Sequence, residues 1–126
     1  MNADPKPLVL VVDDDARALE LMHAVLRYAG YRVQGAPDGA TALDLLTADP
    51  PVLILADLLM PGMTGLELCA RVRSNAAWSG IKFVLLTGMD DDETRRQALG
   101  AGADDVVTKP FDRADLLARL SRLLQP

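Results

Sequence analysis

Three aspartates, a threonine and a lysine are spaced along this 126-residue chain so that each stands just past an apolar run. Asp13 and Asp14 follow residues 8–12, Asp57 follows 52–56, Thr87 follows 81–86, and Lys109 stands two residues beyond 103–107. Carboxylates drawn into one place repel, and each raises the pKa of the next unless cations intervene. Lys109 is one such cation. A hard divalent ion held by oxygen donors is the natural second, and Mg2+ takes one or two carboxylates, a backbone carbonyl and several waters. A carboxylate in such a set can attack phosphorus and form an acyl phosphate. The metal and the ammonium then neutralise the phosphoryl oxygens, and a hydroxyl such as that of Thr87 donates a hydrogen bond to them. Taken alone, Asp57 would serve equally well as a residue that starts a turn.

The elements around these residues decide the matter. Leu8-Val9-Leu10-Val11-Val12 and Val52-Leu53-Ile54-Leu55-Ala56 are continuous apolar runs bounded by polar or turn residues, the pattern of buried strands. Ile81-Lys82-Phe83-Val84-Leu85-Leu86 reads as a third, 103–107 as a short fourth, and the alternating 31–36 as an edge strand. Between them run amphipathic segments. Asp15 caps a helix over 16–29 with Leu19, Met22, Val25, Leu26 and Ala29 inward and Gly30 stopping it. Pro37-Asp38-Gly39 turns into a helix over 40–48. Thr64 and Glu67 form a capping box for a helix to about residue 73. The acidic loop 89–92 caps a helix over 91–99. Asp112 caps the last helix, whose Leu116, Leu117, Leu120, Leu123 and Leu124 form an apolar stripe. Residues 1–6 read as a loose N-terminus, and 74–80 as a loop in which Trp78 packs as a lid.

Five βα units in strict alternation predict an α/β fold of the doubly wound, flavodoxin-like kind. Its five parallel strands run in the order 2-1-3-4-5, with helices on both faces. The topological switch point falls between the strands that end in Asp13-Asp14 and in Asp57. Ligands bind there, outside the carboxyl ends of the strands. Asp57 stands on the central strand between the acid pair and the Thr87 and Lys109 ends. It is therefore the favoured nucleophile, with Asp13 and Asp14 as the metal acids.

Composition narrows the function classes. The net charge is -5, with 15 Asp against 3 Glu, an excess suited to strand ends, caps and loops. Ten Arg and three Lys form no basic run, which argues against direct nucleic-acid binding. No signal-peptide pattern occurs, and no apolar run approaches the ~20 residues of a membrane span. A cytoplasmic location is expected. Cys69, the lone cysteine, lies at helical core spacing and reads as a buried structural thiol. His23 reads as a helix-surface or half-buried residue with no local partner for catalysis.

In its motifs the chain resembles the response-regulator receiver domains of two-component signalling, the CheY-like family. The likeness rests on Val12-Asp13-Asp14, on Asp57 with Met60-Pro61 and Gly65, on Leu86-Thr87-Gly88 and on Lys109-Pro110-Phe111. It extends over about 7–124 of a single domain spanning 1–126. The resemblance implies a Mg2+-dependent phosphorelay receiver, not an enzyme acting on outside substrates. Asp57 would accept a phosphoryl group from a sensor histidine kinase, a phosphotransfer protein or a small phosphodonor. Asp14 would bind Mg2+ directly and Asp13 largely through water, with Asp57 and the backbone carbonyl of Leu59 as further ligands. Thr87 and Lys109 would grip the phosphoryl group, and a cis peptide would precede Pro110. The face of helix four, strand five and helix five, framed by Arg95, Arg96, Arg113, Arg119 and Arg122, would meet a downstream protein, an output domain or a second copy. Solvated helix charges are the plainer reading of these arginines.

One departure bears on signalling. Three residues before the lysine, receivers usually carry Tyr or Phe, which moves inward as the threonine does; here that residue is Val106. Neutral drift and an atypical activation mechanism both accommodate it. A receiver that works as an interaction module without phosphorylation is the alternative it leaves open. Leu59 and Met89 occupy two positions that tune phosphoryl lifetime in the family, and neither can hold a water by a polar side chain. Two other readings fail on sequence. Haloacid-dehalogenase-like phosphatases carry a second Asp where this chain has Leu59. Gly100-Ala101-Gly102 follows a helix and precedes a strand, the reverse of a dinucleotide-binding context. With the receiver motifs running nearly to the end of the 126 residues, the domain is expected either to dock to a partner or to be part of a longer protein.

Overall fold

A computed structural model describes residues 6–89 and 91–125. Strand β1 (Leu8–Val12) leads to helix α1 (Ala16–Tyr28), β2 (Arg32–Ala36) to α2 (Gly39–Ala48), and β3 (Leu53–Asp57) to α3 (Gly65–Arg73). A 3-10 turn at Ala76–Trp78 precedes β4 (Lys82–Thr87), α4 (Asp92–Gly100), β5 (Asp105–Thr108) and α5 (Arg113–Leu123). All four strand pairings are parallel and the order is β2-β1-β3-β4-β5, as the alternation predicts.

Successive strand residues point to opposite faces, so each apolar run feeds two cores. Leu10, Val12, Ile54, Ala56, Phe83, Leu85 and Val106 pack with Ala42, Leu46, Leu68, Cys69, Val72 and Ala98 of α2, α3 and α4. Val9, Val11, Leu53, Leu55, Val84, Leu86 and Val107 pack with Met22, Leu26, Leu116 and Leu120 of α1 and α5. This double burial explains why the central strands carry no polar alternation. Strand β2 pairs only with β1, which makes it an edge, and its residues are correspondingly mixed.

Local signals hold with a few corrections. The Thr64–Glu67 capping box is present in both directions, and Asp15, Asp38 and Asp91 each accept a backbone N–H at the start of their helices. Asp112 occupies the N-cap position of α5 but makes no side-chain cap hydrogen bond. Ala29 is exposed, because α1 ends one residue before it. Strand β5 begins at Asp105 and not at 103, since Ala103 and Asp104 are held by other segments. The Ala103 N–H donates to Ala98 O, and the Asp104 N–H donates to Phe83 O. The Asp104 carboxylate accepts from the Phe83 N–H and from Arg73, whose guanidinium also donates to the carbonyls of Gly102 and Ile81. Trp78 packs against the α2–α3 side of the core, as expected of a lid. The loose N-terminus predicted over 1–6 lies, except for Lys6, outside the described residues, as does Asp90 of the acidic loop. Among the described residues no helix is long and apolar enough to cross a membrane.

Candidate functional site

The site is assembled at the carboxyl ends of β1, β3, β4 and β5. Asp13 directly follows β1, where its N–H donates to Ala36 O of β2 and its carboxylate accepts from the Asp15 N–H at 2.9 Å. That placement leaves Asp13 only 5% exposed while Asp14 faces solvent. Asp57 is the last residue of β3. One carboxylate oxygen from each of Asp13, Asp14 and Asp57 lies within 4.8 Å of the other two. Lys109 Nζ sits 2.7 Å from Asp57 Oδ1 and 3.9 Å from Asp13 Oδ2. The Lys109–Pro110 peptide is cis.

Thr87 ends β4 one residue past Leu86, the register partner of Asp57. It is 1% exposed, and its Oγ1 accepts from the Met89 N–H at 3.0 Å, which leaves the hydroxyl hydrogen available to donate. The Lys109 N–H donates to Thr87 O at 2.7 Å, so the backbones carrying the threonine and the lysine are joined directly. Leu59 lies in the β3–α3 loop with its side chain exposed, and Met89 is likewise exposed beyond β4.

Three carboxylates share this space with one ammonium, and the imbalance shows in Asp13. Burial pushes its carboxyl above the ordinary carboxylate range, and repulsion from Asp57 and Asp14 adds to the effect. The Asp15 N–H and Lys109 act in the opposite direction. Clustered carboxylate oxygens with negative charge in excess are the donor chemistry of a hard divalent cation, so the residues present fit Mg2+.

Two glycines, Gly62 in the β3–α3 loop and Gly65 at the start of α3, matter in ways that motif reading alone does not explain. Gly62 has φ +77°, in the left-handed region that favours glycine, and a Cβ there would meet nothing within 4 Å, so backbone conformation and not space calls for glycine. Gly65 packs directly against the end of β3. A Cβ there would lie 2.5 Å from Asp57 O, 2.7 Å from Leu85 Cδ2 and 3.0 Å from Leu58 Cα. The Gly65 N–H donates to Leu58 O, and the Leu58 N–H donates to Leu86 O, which pins the residue after Asp57 from both sides. The capping box marks Gly65 as the first residue of α3, as the structure has it; its contact with the Asp57 backbone comes from packing that spacing does not show.

Away from this cluster, Cys69 is buried, its Sγ donating weakly to Ala101 O, and burial raises its thiol pKa to about 11. That is an inert core thiol. His23 is half-buried on α1. An apolar groove of about 1140 Å3 runs beside α1, lined by the exposed Leu21 and Tyr28, by Pro110 and Phe111, and by Asp13 and Lys109 of the cluster. The sequence gives little sign of it, because its walls come from opposite ends of the chain.

The sequence pattern of the response regulator receiver domain matches residues 9–121. The response regulator MprA of Mycolicibacterium vanbaalenii is 41% identical over 117 residues, which is 93% of this chain and 50% of that protein. The response regulator MprA of Mycobacterium tuberculosis is 39% identical over the same shares. The chain thus spans about half the length of these curated relatives. Among solved structures, the Vibrio cholerae chemotaxis protein CheY4 superimposes with a TM-score of 0.90 at 32% identity, covering 94% of this chain and 99% of that one. The receiver domain of the Francisella response regulator 1452 does so with a TM-score of 0.86 at 30% identity, covering 94% and 96%. A sheet of matching order with its acids at the switch point, and a family match over nearly the whole chain, place it in the response regulator receiver domain family of two-component signalling.

Proposed function

We propose that residues of about 7–124 act as one receiver unit in which Asp57 is the phosphoacceptor. The observation that carries this reading is the Asp57 carboxylate itself. It lies 2.7 Å from Lys109 Nζ and within 4.8 Å of oxygens from Asp13 and Asp14. An Asp57 oxygen attacks the phosphorus of the donor, the donor's bond to phosphorus breaks with its electron pair, and an acyl phosphate remains on Asp57. Lys109 and the Thr87 hydroxyl then contact the phosphoryl oxygens. Asp13, Asp14, Asp57 and the Leu59 carbonyl would hold Mg2+. When bound, the ion offsets the negative charge that the carboxylates and the phosphoryl group bring together. The phosphodonor is a histidine kinase or a phosphotransfer protein. Its approach along the groove that Asp13 and Lys109 help to line would bury the exposed Leu21 and Tyr28.

The decisive experiment is incubation with MgCl2 and acetyl phosphate, followed by intact-mass measurement. Gain of one phosphoryl group that is lost in Asp57→Asn is the expected result. No gain at saturating Mg2+ supports the second reading, an interaction module independent of phosphorylation. That reading draws on Val106, which is 3% exposed and packed in the α2–α3–α4 core with no aromatic ring to relocate. Docking through the α4–β5–α5 face is the output reading. Arg119 already pairs with Asp105 and Asp115, and Arg96 pairs with Glu93, so those charges are engaged within the chain.

A further inference from the structure

The β3–α3 loop is braced against a segment distant in sequence. Gly39, the first residue of α2, is buried, and a Cβ on it would lie 2.5 Å from Met63 Sδ and 3.1 Å from Met63 Cβ and Cγ. Gly39 is not among the glycines with positive φ, so space rather than backbone conformation calls for glycine here. Met63 itself is partly buried against the core that holds Ala36, Ala42 and Leu46.

Two halves of the candidate site meet at this contact. Ala36, three residues before Gly39, accepts the Asp13 N–H at 3.0 Å and so fixes the start of the β1 acid pair. Met63, four residues after Leu59, fixes the loop that carries the Leu59 carbonyl. Among the described residues, the loop's hydrogen bonds lie near its ends, from the Leu58 N–H to Leu86 O and at the Gly65 N–H and the Thr64 capping box, and between them Met60 is buried in the same core that Met63 packs against. A donor set drawn from two segments needs a fixed spacing between them, and supporting contacts of this kind set metal affinity.

We propose that the seating of Met63 on Gly39 sets the β3–α3 loop relative to the acids of β1, which makes both of them positioning residues of the Mg2+ site. The proposal rests on the reading of Asp13, Asp14, Asp57 and the Leu59 carbonyl as that site. Gly39→Ala sets a methyl group 2.5 Å from Met63 Sδ, which pushes that side chain out of its seat, and Met63→Ala empties the seat. The two faults share one cause, so they do not add.

The test is calorimetric titration with MgCl2 of the wild type, Gly39→Ala, Met63→Ala and the double variant, with thermal unfolding measured alongside. Each single change should weaken Mg2+ binding by about tenfold or more. In the double variant Gly39→Ala should add little, because Sδ, the atom 2.5 Å from the new methyl, is gone and only the Cβ of residue 63, at 3.1 Å, remains near it. In the metal-free protein, the amide resonances of Leu58 and Leu59 should move in both single variants. Should Gly39→Ala not fold, Met63→Ala introduces no clash and carries the test alone. Unchanged Mg2+ affinity beside a lowered melting temperature would show mere packing and overturn the proposal. Losses that add in the double variant would overturn it too. A wild-type chain that takes up no Mg2+ overturns the metal reading itself, and this proposal with it.

Discussion

Lys109 Nζ contacts Asp57 Oδ1 at 2.7 Å, closer than it approaches Asp13, at 3.9 Å. The ammonium therefore pairs with the proposed phosphoacceptor in the same small volume that a metal ion would enter. The two cations repel. In Lys109→Met, Mg2+ affinity should rise, while phosphoryl uptake from acetyl phosphate falls because one contact to the phosphoryl oxygens is gone. Without metal, loss of the charged hydrogen bond should cost about 1–3 kcal/mol of stability. Calorimetry and unfolding in EDTA check both, and a drop in Mg2+ affinity would contradict the electrostatic account.

Burial, and then its carboxylate neighbours, oppose ionisation of Asp13. Asp13→Asn should stabilise the metal-free protein by about 0.5–2 kcal/mol while weakening Mg2+ binding. The sign with pH follows from the raised folded-state pKa. Ionising Asp13 destabilises the fold above that pKa, and the penalty disappears as pH falls below the unfolded value. The melting-temperature difference between variant and wild type should thus be greatest near neutral pH and close up in acid. Thermal melts in EDTA across pH read it directly.

Asp38 and Asp91 carry the opposite sign. Backbone N–H groups of Thr41 and Thr94 hold both carboxyls below the ordinary range. Their stabilisation is present above the unfolded pKa and is lost as pH falls through the folded one. Asp38→Ala and Asp91→Ala should lower the melting temperature at pH 7, and the difference from wild type should shrink in strong acid. A pH-independent difference would place the effect outside the caps.

Gly65→Ala should be among the most damaging single methyl additions in the chain. The new Cβ meets backbone at Asp57 and Leu58, and neither can swing away as a flexible side chain can. Overpacking of this kind costs about 1–3 kcal/mol. Chemical denaturation measures the loss. Mg2+ titration should show weakened binding in whatever fraction remains folded, since the displaced atoms belong to Asp57.

Leu59 and Met89, 65% and 47% exposed, flank the site with apolar side chains. Neither can orient an attacking water, so the Asp57 phosphoryl group should be released slowly. Leu59→Asn supplies an amide and should speed release several-fold, as followed by intact mass after the donor is removed. Equal release rates in the two proteins would show that residue 59 does not govern the water.

The strands, the helices between them and the acids at the strand ends were legible in the residue pattern. Apolar runs such as 8–12 and 52–56 have one stable use, as strands covered on both faces. The Thr64–Glu67 box and the Asp15 and Asp38 caps are legible because a cap joins residues two or three apart, whereas the acidic loop 89–92 reads as a cap without singling out Asp91, which the structure puts before the helix. Asp112 shows the limit: the residue type suits a cap, yet its side chain makes no such bond. Strand β5 starts two residues later than the 103–107 run suggests because Asp104 answers to Arg73 and Phe83, which local propensity does not see.

By itself, the sequence determined the order of elements, the doubly wound sheet and the gathering of Asp13, Asp14, Asp57, Thr87 and Lys109 at one edge. Those follow from periodicity, connection handedness and the end of the strand on which each residue falls. Only the tertiary structure decided which charges touch, which glycines are filled against and how the loop after Asp57 is braced. The pairing of Lys109 with Asp57, the contact of Gly65 with the Asp57 backbone and the seat of Met63 on Gly39 join segments far apart in the chain. Their distances are set by how helices pack on a shared sheet, to within the width of a methyl group, and close packing makes that width matter.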